Sequence, residues 1–250
     1  MTGSLISVLS YALIPAAAII VGGVFALIRP PGAKTRSAVQ HLAAGIVFAA
    51  VAVELLPEIL HDHSPLATVL GMVLGVSTMF GIKRLTESKE KNGIHEGNGK
   101  SDSPNSLLAA LGVDVLVDGM LIGVGFAAGA KQGLLLTVAL AGEVLFLGVS
   151  AAVALTKTGV SRVRVLGTVA GLATALLLGA GIGGGLLAGL KGFTLDVILT
   201  FGAAALLYLV TEELLVEAHE EPDSPALSAM FFVGFTALLV VEMLVTGKAG

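Results

Sequence analysis

Seven carboxylates lie well inside long apolar stretches of this chain: Glu54, Asp114, Asp118, Glu143, Glu212, Glu213 and Glu242. No lysine or arginine lies well inside any of those stretches. A carboxylate at bilayer depth costs about 3 kcal/mol or more, so it marks a functional site by default. Without a basic partner, each acid must be protonated, face water, or meet a cation from outside the chain. One sign of charge at depth is what a cation pathway requires. Glu58, Glu217 and Glu242 stand near the ends of apolar runs, where a carboxylate can reach the interface.

Asp114 and Asp118 are four residues apart, one above the other on a single helical face. Asp118 lies 12 residues before the far end of its apolar run and Glu143 about 10 residues into the next. At a rise of about 1.5 Å per residue these depths are about 18 and 15 Å, near the bilayer midplane. The connection around Lys131 and Gln132 is short, so the two helices are expected to be antiparallel neighbours. Asp114, Asp118 and Glu143 can then converge. Several carboxylate oxygens around one point suit hard or borderline divalent cations. Protons can also neutralise them.

The elements that position these acids follow from composition. Of 250 residues, 55% are hydrophobic and 13% charged, against about a quarter charged in soluble domains. Disorder is excluded, because it needs low hydrophobicity and high charge. The chain has no cysteine, so disulfides and thiolate sites are excluded. A net charge of -4 gives no reason to expect nucleic acid as a partner. About 20 apolar residues span a bilayer as a helix. Eight such runs occur, at about 4–28, 39–60, 66–82, 106–130, 133–156, 165–190, 194–217 and 225–246. The expected fold is an all-α polytopic membrane protein forming one transmembrane domain over 1–250. The lipid bilayer is one partner.

Basic residues orient the spans. Loops 29–38, 83–105 and 157–164 fall on one side and carry 11 of the 14 bases. The positive-inside rule places both termini on the non-cytoplasmic side, with the plasma (inner) membrane as the expected location. Segment 83–105 is rich in Gly, Asn and Ser and reads as a flexible cytoplasmic loop, with His95 as a solvated linker histidine. Glycines around the fourth to sixth spans, including GAGIGGGLLAG at 179–189, suit close helix packing, and they leave a homodimer open as an assembly.

The second span contains Glu54-Leu55-Leu56-Pro57-Glu58 and the seventh contains Glu213-Leu214-Leu215-Val216-Glu217. Similar sequence running in opposite directions marks an inverted repeat. Spans 1–3 and 6–8 are then two arms around the central pair 4–5. Pro57 is expected to loosen the end of the second helix.

The layout resembles the ZIP (Zrt/Irt-like) family of divalent metal transporters. The resemblance rests on eight spans, outside termini, a variable loop after span 3 and acids on spans 4 and 5. The family's His-Asn-x-x-Glu-Gly motif is matched here by Asp114-Val115-Leu116-Val117-Asp118-Gly119, followed by a well-matching small and apolar tail, Met120–Gly129. In span 5, Glu143 stands at the start of the family's polar cluster, with Phe146 in place of its proline and Leu147 in place of its second glutamate. Thr211–His219 is similar to the family's His-Glu-x-x-Pro-Glu-x-His stretch. The resemblance implies passive or elevator-type alternating-access movement of a divalent cation of the zinc, iron or manganese class, as substrate rather than as a tightly bound cofactor. Asp114, Asp118 and Glu143 are then the metal site, with an all-oxygen set favouring harder cations over a histidine-rich zinc site. Glu54, Glu212, Glu213, Glu217, His219 and His41 are candidate supporting or gating residues. His61, Asp62 and His63 form a candidate entrance cluster. The departures motivate an alternative, a carrier or sensor that has lost classical metal transport and moves protons or another solute. An enzyme is not expected: Asp114 and Asp118 share one helix, and the Gly-x-Gly-Asp signature of intramembrane aspartyl hydrolases is absent.

Overall fold

The computed structural model describes residues 5–61, 63–92, 104–186, 189–222 and 224–246, and all regular structure among them is helical. Eight helices are long and apolar enough to cross a bilayer. They are α1 (Leu5–Ile28), α2 (Ala33–His61), α3 (Pro65–Asn92), α4 (Pro104–Ala128), α5 (Ala130–Lys157), α6 (Arg162–Leu186), α7 (Phe193–Ala218) and α8 (Pro225–Thr246). Only Gly129 separates α4 from α5, so these two helices form a tight hairpin. Their outward faces carry the large apolar side chains that lipid must cover, such as Val73 and Leu74 on α3 and Phe232, Val233 and Met243 on α8.

Two boundaries differ from the sequence expectation. Helix α2 begins at Ala33, six residues early, so His41 sits two turns inside it. Helix α3 continues to Asn92, and α4 begins at Pro104. The polar run after Lys83 is rich in Glu and Lys, which hold helix well after it leaves the apolar layer. The expected loop 83–105 is therefore helical at both margins, and 93–103, including His95, lies outside the described residues.

The inverted repeat is visible in the packing. Helix α1 packs along α5 as α6 packs along α4, and α8 packs along α2 as α3 packs along α7. The closest partnerships therefore form two groups, α1/α4/α5/α6 and α2/α3/α7/α8, with α2 against α5 as the broadest contact between them. A second symmetry lies within the helices. Val51–Leu55 in α2 and Val210–Leu214 in α7 are both π-helical. The shift of 159 that carries Glu54 onto Glu213 also carries one π segment onto the other. Pro57 follows the first segment and removes a backbone donor, as expected of a loosened helix. Val216 occupies the equivalent place in the second, so proline is not what creates the π turn. Single π turns inside α-helices are frequent at functional sites, and both of these carry glutamates.

Glycine makes the close pairings. A Cβ at Gly22 would meet the Leu145 carbonyl oxygen, and one at Gly148 would meet that of Ile19, closing α1 on α5 from both sides. Gly119 and Gly179 do the same for α4 and α6, and Gly45 and Gly234 for α2 and α8. Backbones this close gain van der Waals contact and weak Cα–H···O bonds. Gly148→Val is expected to cost about 3 kcal/mol through overpacking. Gly171→Ala, with nothing within 4 Å of the added carbon, is expected to be neutral or mildly stabilising. Thermal unfolding of the two purified variants in detergent checks this, and equal melting temperatures would refute the backbone-contact account.

Candidate metal site

Asp114 and Asp118 project from one face of α4, and Glu143 projects from the facing turn of α5. Each side chain offers one carboxylate oxygen, and the three oxygens lie within 4.8 Å of one another. Asp118 and Glu143 are each 2% exposed. Asp118 Oδ2 and Glu143 Oε2 are buried and have no hydrogen-bond partner among the described residues. A buried carboxylate oxygen without a donor is costly. Like charges about 4 Å apart also repel by about 4 kcal/mol at an effective dielectric of about 20. A divalent cation removes both costs at once. The donor set is oxygen alone, which hard cations accept and zinc tolerates.

A cavity of about 60 Å³ reaches this cluster, with room for a few waters. Asp114, Glu143, Ser150, Glu213 and Glu217 supply its polar wall, and Phe146 and Leu147 part of its apolar wall. Glu213 and Glu217 are exposed at the protein surface while lining it, so the cavity opens to the outside of the protein toward the end where α5 and α7 finish. In the other direction the path is shut. Leu55, Leu121, Val124, Leu136 and Leu199 are all buried around a residual void of about 10 Å³.

Three of the remaining acids, Glu54, Glu212 and Glu242, have bases after all, which corrects the expectation that none was within reach. Lys131, at the first turn of α5, contacts both Glu54 of α2, at 3.7 Å, and Glu242 of α8. Gln132 Nε2 donates to Glu58 Oε2 at 3.5 Å beside them. Lys83 of α3 pairs with Glu212 of α7 at 3.1 Å. Both lysines lie in sequence at the margins of apolar runs, where a long stem can extend inward along the helix. Of the candidate supporting residues, Glu213 and Glu217 therefore belong to the cavity. Glu54 lies beyond the apolar block, and Glu212 faces a lysine.

His41 and His219 meet at the cavity end of the molecule, with ring centroids 5.1 Å apart. Gln40 Nε2 donates to Glu217 Oε2, Ser37 Oγ donates to the Ala218 carbonyl at 2.7 Å, and Arg36 lies 3.8 Å from Glu220. His41 is 2% exposed, because the early start of α2 packs its first turns on the end of α7. His61 and His63 are exposed in the α2–α3 turn, where His63 adopts φ 49°. They do not approach the carboxylates, and Asp62 lies outside the described residues. The Lys131 cluster and the buried Gln40 were missed by sequence reading. The only available signal was a lysine and a glutamine at the shortest connection in the chain.

No curated protein matches the chain at a significant level. A family model does match, over residues 86–242: that of the ZIP zinc transporters.

Proposed function

The chain belongs to the ZIP zinc transporter family, and we propose that it moves a divalent metal cation through the carboxylate site formed by Asp114, Asp118 and Glu143. One observation carries this reading. Three carboxylate oxygens from adjacent helices lie within 4.8 Å, and one buried oxygen on each of Asp118 and Glu143 has no donor among the described residues. The cation is substrate, taken up and released rather than retained.

The shape around the site supports alternating access as the mode of transport. Water reaches the carboxylates from the end where α5 and α7 finish, and packed leucine and valine close the other end. Taking the basic loops as cytoplasmic, this conformation faces inward. The group α1/α4/α5/α6 carries the site, and its contact with α2/α3/α7/α8 is the surface along which access changes. The all-oxygen donor set favours manganese, iron(II) or magnesium over zinc.

Thermal unfolding of the purified protein across a panel of divalent cations tests the reading. A cation present at about 100 times its dissociation constant stabilises the native state by about 2.7 kcal/mol, a rise of about 5 °C or more for a chain of this size. Manganese or iron(II) is expected to give the largest rise, and Glu143→Gln is expected to remove it. No rise with any cation, together with pH-driven flux in vesicles, would favour the alternative of a proton or other solute carrier.

A further inference from the structure

We propose that His41 and His219 form a second binding site for a borderline divalent cation, separate from the carboxylate cluster and placed at the water-facing end of the cavity. The evidence is a pair of imidazoles prepared as ligands. His41 Nδ1 donates to the Ser37 carbonyl oxygen at 2.9 Å. His219 Nδ1 donates to the Leu215 carbonyl oxygen. In each case the acceptor is a carbonyl four residues earlier on the same helix, so Nδ1 must carry the proton. In the neutral ring the lone pair then belongs to Nε2. A metal-ligating histidine characteristically donates its other ring nitrogen to a backbone carbonyl in this way, which fixes both tautomer and ring orientation.

A second, independent observation points to a ligand. His41 is 2% exposed, and its Nε2 is buried without a hydrogen-bond partner among the described residues. Burial of an unpaired polar nitrogen needs a reason. The ring that lies against it is His219, at 5.1 Å between centroids and 62° between planes. Two imidazoles bound at about 2.0–2.1 Å to one tetrahedral ion place their centroids at about this separation. Neighbouring groups hold the pair in place. Ser37 ties the first turns of α2 to the end of α7 through the Ala218 carbonyl, and Gln40 holds Glu217. Glu217 also lines the carboxylate cavity. It therefore stands between the two sites.

The two sites differ in softness. Imidazole nitrogens prefer zinc, copper and nickel, whereas the carboxylate cluster prefers harder ions. An ion leaving the carboxylates meets Glu217 and then the histidine pair before bulk water, and a borderline ion held there slows the exit of the next. The expected consequence is that zinc or copper at the water-facing side retards flux of the harder cation.

Copper(II) is the stringent probe, because at a nitrogen site it binds more tightly than the other first-row divalent ions. The measurement is electron paramagnetic resonance of the full chain carrying Asp118→Asn and Glu143→Gln, titrated with copper(II) alone. The expected result is one bound equivalent with nitrogen superhyperfine splitting. That signal should be lost in His41→Phe, which keeps a ring in the buried position, and in His219→Ala, whose side chain is exposed. Should His41→Phe unfold, His219→Ala alone decides. Absence of nitrogen-coupled copper, or its persistence when His219 is removed, overturns the proposal. Because the transport carboxylates are already substituted, either result is separable from the outcome for metal transport.

Discussion

Uptake of manganese or iron(II) into vesicles is expected to fall by more than about 100-fold in Glu143→Gln and in Asp118→Asn. The substitutions keep shape and volume, so packing against α5 and α4 is retained. What each removes is one of the three negative charges of a site whose donors are all carboxylate. Outer-shell partners of metal sites are already worth 10–100-fold, and these side chains are placed in direct contact with the ion. Glu212→Gln serves as the control. That carboxylate is paired with Lys83 and does not line the cavity, so flux should stay within about twofold of wild type, as expected of an exposed pair. Wild-type flux in both site variants would remove Asp118 and Glu143 from the transport path.

The second large effect concerns the closed end. Lys131 belongs to the helix group that carries the carboxylates, whereas Glu54 and Glu242 belong to the other group. These contacts, with Gln132 on Glu58, tie the two groups together next to the apolar block. Lys131→Met is expected to release that tie and leave Glu54 and Glu242 facing one another without a cation. Removing one partner of a buried pair leaves an uncompensated charge, which is the costly outcome. The closed end should therefore open more often, and a shift of about 1.4 kcal/mol in that equilibrium is a tenfold change. The absence of native cysteine permits a clean reporter. Ile198→Cys, in the wall of the small apolar void, should react with an impermeant maleimide about tenfold faster when Lys131→Met is present. An unchanged labelling rate would show that the ion pairs do not hold that end shut. The Gly148→Val wedge, the cation-dependent melting shift and the copper signal at His41 and His219 test the remaining parts of the account.

Much of the architecture was legible because membrane helices obey a simple length and hydropathy rule. The eight spans follow from runs of about 20 apolar residues. The helical spacing of Asp114 and Asp118 and the short connection expected around Lys131 and Gln132, which the structure puts at Gly129, placed three acids near one depth. The repeated Glu-Leu-Leu-x-Glu stretch pointed to the inverted repeat, but nothing in its composition announces the paired π segments found there. Lysine pairing was not legible. Lys131 and Lys83 lie at the margins of their apolar runs, and whether a flexible stem reaches inward depends on which helix stands opposite. The burial of His41 was not legible for a related reason. The hydrophilic first turns of α2 look like loop until the end of α7 is set against them.

By itself the sequence determined the solvent, the number of crossings and the depth of each charge, because these depend on transfer energies summed along one helix. Tertiary structure decided which charges meet. It left two carboxylates of the Asp114, Asp118 and Glu143 cluster with oxygens that no described residue hydrogen-bonds and gave Glu54 and Glu242 a lysine. It opened the cavity at one end only and brought His41 against His219. Those outcomes depend on distances between helices, set by which glycine faces which carbonyl, and Coulomb and ligand interactions change steeply over those few ångströms.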